Sequence, residues 1–243
     1  MIRSKWQMKL NPDKTKQLTI GSSSHSYTLD GKVIDKVDSI KDVGVIIQSD
    51  LKFSKHCSSI IKKGYFIIRN IFTTFTNHEN KFYINMYQRY VRPVLEHTSQ
   101  IWSPVLIGNI DKVERVQKYF TRRLYYSEHL MYSDRLKNCK LDTLEERRLR
   151  ADLILFYKMI NINYGVMMID MQHSYSFNNR HRGHNRNLYT YYCRTEKRKM
   201  FWINRIVNNW NNLDRIVINS VSVKTFKSKI VLYHFPGRGS YYC

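Results

Sequence analysis

Acidic residues are scarce in this sequence: 19 Asp plus Glu stand against 41 Lys plus Arg, a formal net charge of +22. That shortfall excludes a charge-balanced surface and predicts attraction to a polyanion, because each phosphate a cation neutralises releases a condensed counterion. Proline and glycine are also few, 4 and 9 among 243 residues, which leaves little room for long flexible linkers. Cys57, Cys139, Cys193 and Cys243 lie far apart with no Cys-x-x-Cys pair, which argues against a disulfide framework and a zinc ribbon alike. No run approaches the roughly 18 uninterrupted apolar residues of a membrane span. The opening stretch, Met1 to Gln7, lacks the apolar centre of a signal peptide. An intracellular location, nuclear or cytoplasmic, with no membrane partner, is the expectation. Finally, no two aspartates are adjacent anywhere in the chain.

What is present points to an ordered protein. Hydrophobic residues make up 42% and aromatics 14%, more than a disordered polymer carries. The length suits one or two domains of the usual size, about 100 to 200 residues each. Basic residues are densest toward the end: residues 171–243 hold 13 basic and 2 acidic side chains.

The first 50 residues read as short strands and turns. Gln17–Ile20, Tyr27–Leu29, Lys32–Ile34 and Val43–Ile47 have strand character, and Asp30-Gly31 is a hairpin signal because Gly accepts positive φ. A sheet this small cannot bury itself and must lean on other structure. From Ser54, a candidate N-cap, the period becomes helical. Cys57, Ile61, Gly64, Ile68, Ile71 and Phe75 line one face, while Lys55, Lys62, Lys63 and Arg69 populate others. A second helix is expected from about Glu79 to Tyr90, ending or kinking at Arg92-Pro93. A third, from Asn109 to about Tyr126, turns Val113, Val116, Phe120 and Leu124 inward and keeps Lys112, Arg115, Lys118, Arg122 and Arg123 off that face. Asp142 to Glu146 is a capping-box signature, with Asp142–Glu145 or Thr143–Glu146 as the reciprocal pair, and Leu149, Leu153, Phe156 and Ile160 continue the stripe. Residues 171–198 read as a long polar loop. A helical pair, Met200–Asn211 and Val223–Leu232, comes after it, and no internal repeat is visible.

Several short motifs occur in a fixed order along the chain. They are Trp6-x-x-x-Leu10-Asn11-x-x-Lys14-Thr15, then Lys41-Asp42-Val43-Gly44-Val45 with Leu51-Lys52-Phe53-Ser54-x-His56, then Tyr90-Val91-Arg92-Pro93-Val94-Leu95-Glu96-His97. Ile101-Trp102-Ser103-Pro104 and Val113 through Arg122 come next, then Tyr132-x-x-Arg135-Leu136 and Leu141-x-x-Leu144-Glu145-x-Arg147-Arg148. Trp210-Asn211-x-Leu213 and Ser222-Val223-x-x-Phe226-Lys227 close the series. Each is weak alone. Their order and spacing resemble the downstream half of non-LTR (LINE-type) retrotransposon reverse transcriptases, particularly the jockey-like group, over nearly the whole chain.

The resemblance implies an α+β, mainly α fold. A small N-terminal β-hairpin remnant of the polymerase palm, with its primer-grip-like segment, would occupy 1–53. A helical thumb would span 54–170, and a basic C-terminal loop and helices 171–243. It implies an RNA-directed DNA polymerase fragment whose partners are template-primer RNA and DNA together with a missing upstream palm and fingers. Members of that family carry an aromatic-Ala-Asp-Asp turn just upstream of the segment matching Trp6, where carboxylates hold two Mg2+ ions. This chain has no such pair, so no catalytic residue, no metal ligand and no cofactor is expected in it, and Mg2+ only in a complete enzyme.

The same resemblance implies roles for Lys14, Gly44 and the helix cations, each beside a plainer reading, and charge clustering points to the late loop. Lys14 matches a lysine that neutralises leaving pyrophosphate, or is a solvated lysine after an Asn-Pro-Asp turn. Gly44 permits close approach of a primer strand, or is a strand bulge. Lys55, Lys62, Lys63, Lys118, Arg122 and Arg123 touch the backbone of template and primer, with Tyr119 available to stack, or form an ordinary basic surface. Arg180, Arg182, Arg186, Arg194, Lys197, Arg198 and Lys199, interleaved with Tyr189, Tyr191 and Tyr192, make the late loop an RNA contact. His181-x-x-His184 with Cys193 lacks the four ligands structural zinc requires. A stand-alone basic nucleic-acid-binding protein, or a non-functional relic of a decayed element, are the alternatives that the same residues leave open.

Overall fold

A computed structural model of the chain describes residues 10–76, 79–161, 186–189, 192–199 and 201–233. The fold is α+β and mainly α: short strands come first, and helices make up most of the remainder. Trp6, Arg180, His181, Arg182, His184 and Tyr191 lie outside the described residues, as does the side chain of Lys197.

The strands pair two by two. β1 (Gln17–Leu18) runs parallel to β4 (Lys36–Val37), and β2 (Thr28–Leu29) is antiparallel to β3 (Lys32–Val33). The Asp30-Gly31 signal is realised as a two-residue turn with φ of 51° and 76°, the twist that suits a tight hairpin. Ion pairs of Lys32 with Asp13 and of Lys16 with Asp35 hold this exposed region to itself. β5 (Ser39–Asp42) and β6 (Val45–Gln48) form the second hairpin, again with positive φ at both turn residues, Val43 and Gly44. This hairpin does lean on the helices: Val45 enters the first hydrophobic core, and the Ile46 N–H donates to Nδ1 of buried His56 at 3.3 Å.

α1 (Ser54–Thr74) buries Cys57, Ile60, Gly64, Ile68 and Ile71, the one-faced period that its sequence carries. Ser54 is not its N-cap. Phe53, at φ 55°, precedes the helix without a side-chain cap, and the Ser54 hydroxyl instead accepts from Nδ2 of Asn109 at 3.0 Å. That bond joins α1 to a helix 55 residues away, a tertiary use that a local capping pattern does not reveal.

α2 (Asn80–Met86) runs into a π-helical turn over Tyr87–Val91 and continues as α3 (Arg92–Glu96), so the helix does not end at Arg92-Pro93 as expected but passes through it after a widened turn. The Arg92 N–H bonds to the Tyr87 carbonyl five residues back. That widened turn eases the clash a proline ring would make with the carbonyl four residues before it. Short α4 (Ser99–Trp102) leads to α5 (Ile107–Leu124), which buries Val113, Val116 and Phe120. Tyr87 and Phe120 stack at 4.4 Å between ring centres, and Tyr87 donates to Gln117 at 2.8 Å, so the buried phenol is satisfied.

α6 (Tyr132–Cys139) precedes α7 (Leu144–Asn161). The Thr143–Glu146 alternative of the capping box forms: the Glu146 N–H donates to Oγ1 of Thr143 at 3.2 Å, and the Thr143 N–H to Oε2 of Glu146 at 3.3 Å. Asp142 instead pairs with Arg150. α7 contributes to both cores. Leu144 belongs to the first, whereas Leu149, Leu153 and Phe156 belong to the second, with α9 (Trp202–Asn211), α10 (Arg215–Ile218) and α11 (Val223–Leu232). α8 (Glu196–Lys199) is a single turn before them. Tyr157 stacks on Phe226 at 4.1 Å, and Phe156 meets Trp210 edge-on at 4.6 Å.

Candidate nucleic-acid interface

α1 contains Lys55, Lys62, Lys63 and Arg69 and no acidic residue. Lys55, Lys62 and Arg69 are spaced seven apart, so they fall on nearly one stripe, and Lys62 and Lys63 point to different flanks. α5 packs beside α1 and, from Arg115 to Leu124, likewise carries no carboxylate. Its upstream Glu114 is buried, accepting hydrogen bonds from the Leu144 N–H and the Tyr132 hydroxyl. Among the described residues, no ion pair involves Lys55, Lys62, Lys63, Arg69, Arg115, Lys118, Arg122 or Arg123. Along α1 and from Arg115 to Leu124 of α5, positive charge therefore stands with no carboxylate interspersed.

The two helices meet on their outer side in an aromatic seam. Tyr65 of α1 and Tyr119 of α5 contact edge to face, 5.2 Å between ring centres. Arg123 lies over the Phe72 ring at 4.8 Å and donates from Nη1 to the Tyr119 hydroxyl at 3.3 Å. Burial raises the Tyr65 phenol above its ordinary value against the opposing field of nearby Arg115. Arg123 is thus held over an aromatic face, an arrangement that fixes its charge while leaving part of the ring open. Tyr119 is 37% exposed, and Phe66, beside Lys62 on α1, is 64% exposed.

Of the residues expected at the site, Tyr119 and Arg123 stand in this seam, with exposed Arg122 on the same helix and the Lys55 and Lys62 stripe on the neighbouring one. Lys118 stands apart, turned toward α6 with its ammonium 5.2 Å from the centre of the Tyr132 ring. Lys63 is exposed on α1 one turn before Phe66, and its charge helps to depress the pKa of His56, two turns back on the same helix. Lys55 sits at the start of α1, donating to the Ser39 hydroxyl at 3.2 Å.

Lys14 is an exposed residue of a turn built on Asn11, whose side chain accepts from the Asp13 N–H at 2.9 Å. Gly44 has φ of 85°, and the direction of its missing side chain is filled by the His97 ring, 3.5 Å from where a Cβ would stand. Nε2 of the same ring lies 3.3 Å from the Val43 carbonyl. Arg186 donates to Asn161 at 3.0 Å and offers its carbonyl to the Trp210 indole at 2.8 Å, serving the second core. Arg194 and Arg198 are exposed, Arg198 with its guanidinium 5.5 Å from the Phe201 ring, and Lys199 is half-buried. Cys193 is approached by Nδ2 of Asn204 at 3.4 Å.

Tyr65 and Phe72 complete the seam, Phe66 lies exposed on α1, and none of the three was among the residues expected to bind. The signal that finds them is positional: Tyr65 and Phe66 lie three and four residues after Lys62, one turn along the same helix. Among the described residues, no three His, Cys, Asp or Glu side chains stand together as a metal-ligating group. No helix among those residues is long and apolar enough to cross a membrane.

No protein-family model matches the chain, and no solved structure matches it. A Caenorhabditis elegans protein described as "Uncharacterized protein B0403.1" is 21% identical over 128 residues, covering 51% of this chain. The match spans 65% of that relative's length.

Proposed function

We propose that this chain binds template-primer nucleic acid as the end of the palm, the thumb and the tail of a non-LTR retrotransposon RNA-directed DNA polymerase, without that enzyme's catalytic aspartates. One observation carries the reading: α1 and the second half of α5 present cations with no carboxylate among them, beside exposed aromatic rings. Lys and Arg at such a surface meet phosphate oxygens, and the rings add sequence-tolerant contact to bases or sugars. The order of motifs along the chain supplies the polymerase part of the proposal, and an intracellular site of action, nuclear or cytoplasmic, goes with it. Polymerisation itself is assigned to carboxylates and Mg2+ supplied by a palm outside these residues.

The test is equilibrium binding of the purified chain to a labelled RNA–DNA hybrid. Contact with about six phosphates predicts a loss of about a thousandfold in affinity between roughly 50 and 200 mM salt. Affinity unchanged by salt, or no binding at low salt, would remove the proposal. Binding with that salt dependence, but equal for hybrid, duplex and single strand, would favour the second reading, a general nucleic-acid-binding protein.

A further inference from the structure

Phe66 is 64% exposed in the middle of a 21-residue helix, where a polar residue would serve the fold as well. Its helical neighbours one turn away are Lys62, Lys63, Arg69 and Asn70. None of the cations among them has a carboxylate partner in an ion pair with another described residue. An apolar protein surface docking over this ring would strip water from three cations with no carboxylate on the helix to receive them. A nucleic acid supplies what both kinds of side chain need, phosphate for the cations and a flat apolar face for the ring.

The nature of the ring selects between nucleic acid forms. A phenyl group has no polar atom to offer a phosphate, and in a closed duplex the base faces are already stacked on one another. It gains most where a base is unpaired and its face is free. Tyr65, the adjacent residue, is held edge to face against Tyr119, whose hydroxyl accepts from Arg123. The seam thus adds a ring pair already ordered in the free protein, so little side-chain freedom is lost on binding. The Lys62 and Arg69 ammonium and guanidinium groups arise two helical turns apart, about 10 Å along the axis, on either side of Phe66.

We infer that the face of α1 around Phe66, continued by the Tyr65–Tyr119 pair, stacks unpaired nucleobases, so that the cationic seam holds single-stranded nucleic acid in preference to a closed duplex. The inference rests on the nucleic-acid reading above and assigns this face to the unpaired part of a template rather than to its paired stem.

The test compares the purified full chain, at one salt concentration, with a labelled oligo(dT) of about 12 nucleotides, within the usual single-strand site size, and with a blunt duplex of equal length. The expected result is tighter binding of the single strand. Phe66→Ala should weaken oligo(dT) binding about tenfold and leave duplex binding unchanged, while Phe66→Trp retains the single-strand affinity. Because the ring is exposed, the Ala variant keeps the fold, which circular dichroism verifies. Lys62→Ala should weaken both ligands alike. Equal affinity for the two ligands, or a Phe66→Ala variant that binds oligo(dT) as the parent does, overturns this inference while leaving the nucleic-acid reading in place. Binding of neither ligand overturns both.

Discussion

Arg205 donates from Nε and Nη2 to the two carboxylate oxygens of Asp152, at 2.9 and 3.0 Å, and the same Nη2 reaches the Gln100 carbonyl at 3.0 Å. Asp152 is on α7, Arg205 on α9 and Gln100 on α4, so one guanidinium fastens the second core to the side of the first. The pair is nearly removed from water, with Asp152 only 2% exposed. Removing one partner strands the other's charge. Asp152→Ala is expected to cost about 3–5 kcal/mol of stability, and the apolar double replacement Asp152→Leu with Arg205→Met to recover much of it. Urea denaturation of the single and double variants checks this, and a double variant no better than Asp152→Ala would contradict it.

His56 makes stability pH-dependent. Its ring is buried edge-on to Trp102, 4.9 Å between centres, and Nδ1 accepts from the Ile46 N–H, so the fold holds the neutral imidazole. Burial first, with the charges of His97 and Lys63 adding to it, pulls the pKa from 6.5 down to about 4. The unfolded chain therefore takes up a proton that the folded chain refuses, and the unfolded state binds more protons between those two values. This contribution is present above pH 6.5 and is lost as pH falls toward about 4. Thermal melts across that range should show a decline that His56→Phe flattens. The same variant strands the Ile46 N–H and should cost about 1–3 kcal/mol at neutral pH.

Gly64 sets how closely α1 approaches its neighbours. A Cβ there would stand 3.0 Å from Cγ1 of Val116 and 3.2 Å from Cδ2 of Leu95, both fully buried side chains. Alanine would raise helix propensity by about 1 kcal/mol, but the stiff, β-branched Val116 on a packed helix has little room to yield, and overpacking costs about 1–3 kcal/mol. Gly64→Ala is therefore expected to be destabilising by about 1 kcal/mol, and Gly64→Val by more. The pair Gly64→Ala with Val116→Ala should regain part of the loss by removing the contact, which chemical denaturation resolves.

The stripe of α1 could be read from sequence because burial of one helix face leaves Cys57, Gly64, Ile68 and Ile71 at helical spacing. The Thr143–Glu146 box was legible for the same reason: both partners of the interaction lie within one turn. Ser54 misled because its hydroxyl is claimed by Asn109, distant in sequence, and the π-helical turn before Pro93 depends on backbone geometry that proline restricts but does not specify. The seam was half visible. Lys62, Tyr119, Arg122 and Arg123 declare themselves by charge or ring type. That Tyr65 meets Tyr119 depends on the placement of α5, and the flank that Lys118 takes depends on Tyr132, supplied by α6.

That difference between Lys118 and Lys62 gives a direct test of where nucleic acid lies. Both are lysines on the basic helix pair, and on composition alone they are equivalent. In the fold Lys62 stands free on the outer stripe of α1, whereas Lys118 is directed over the Tyr132 ring on the far flank of α5. A phosphate contact removed by mutation lowers the slope of log affinity against log salt by about 1. Lys62→Ala and Arg122→Ala are each expected to show that reduction, measured by fluorescence anisotropy over a salt series. Lys118→Ala is expected to leave the slope unchanged and to cost only the cation–π contact, about 0.5–1 kcal/mol of folding stability. Equal reductions from Lys62→Ala and Lys118→Ala would mean that the ligand wraps both flanks of α5, and that the seam alone does not define the site.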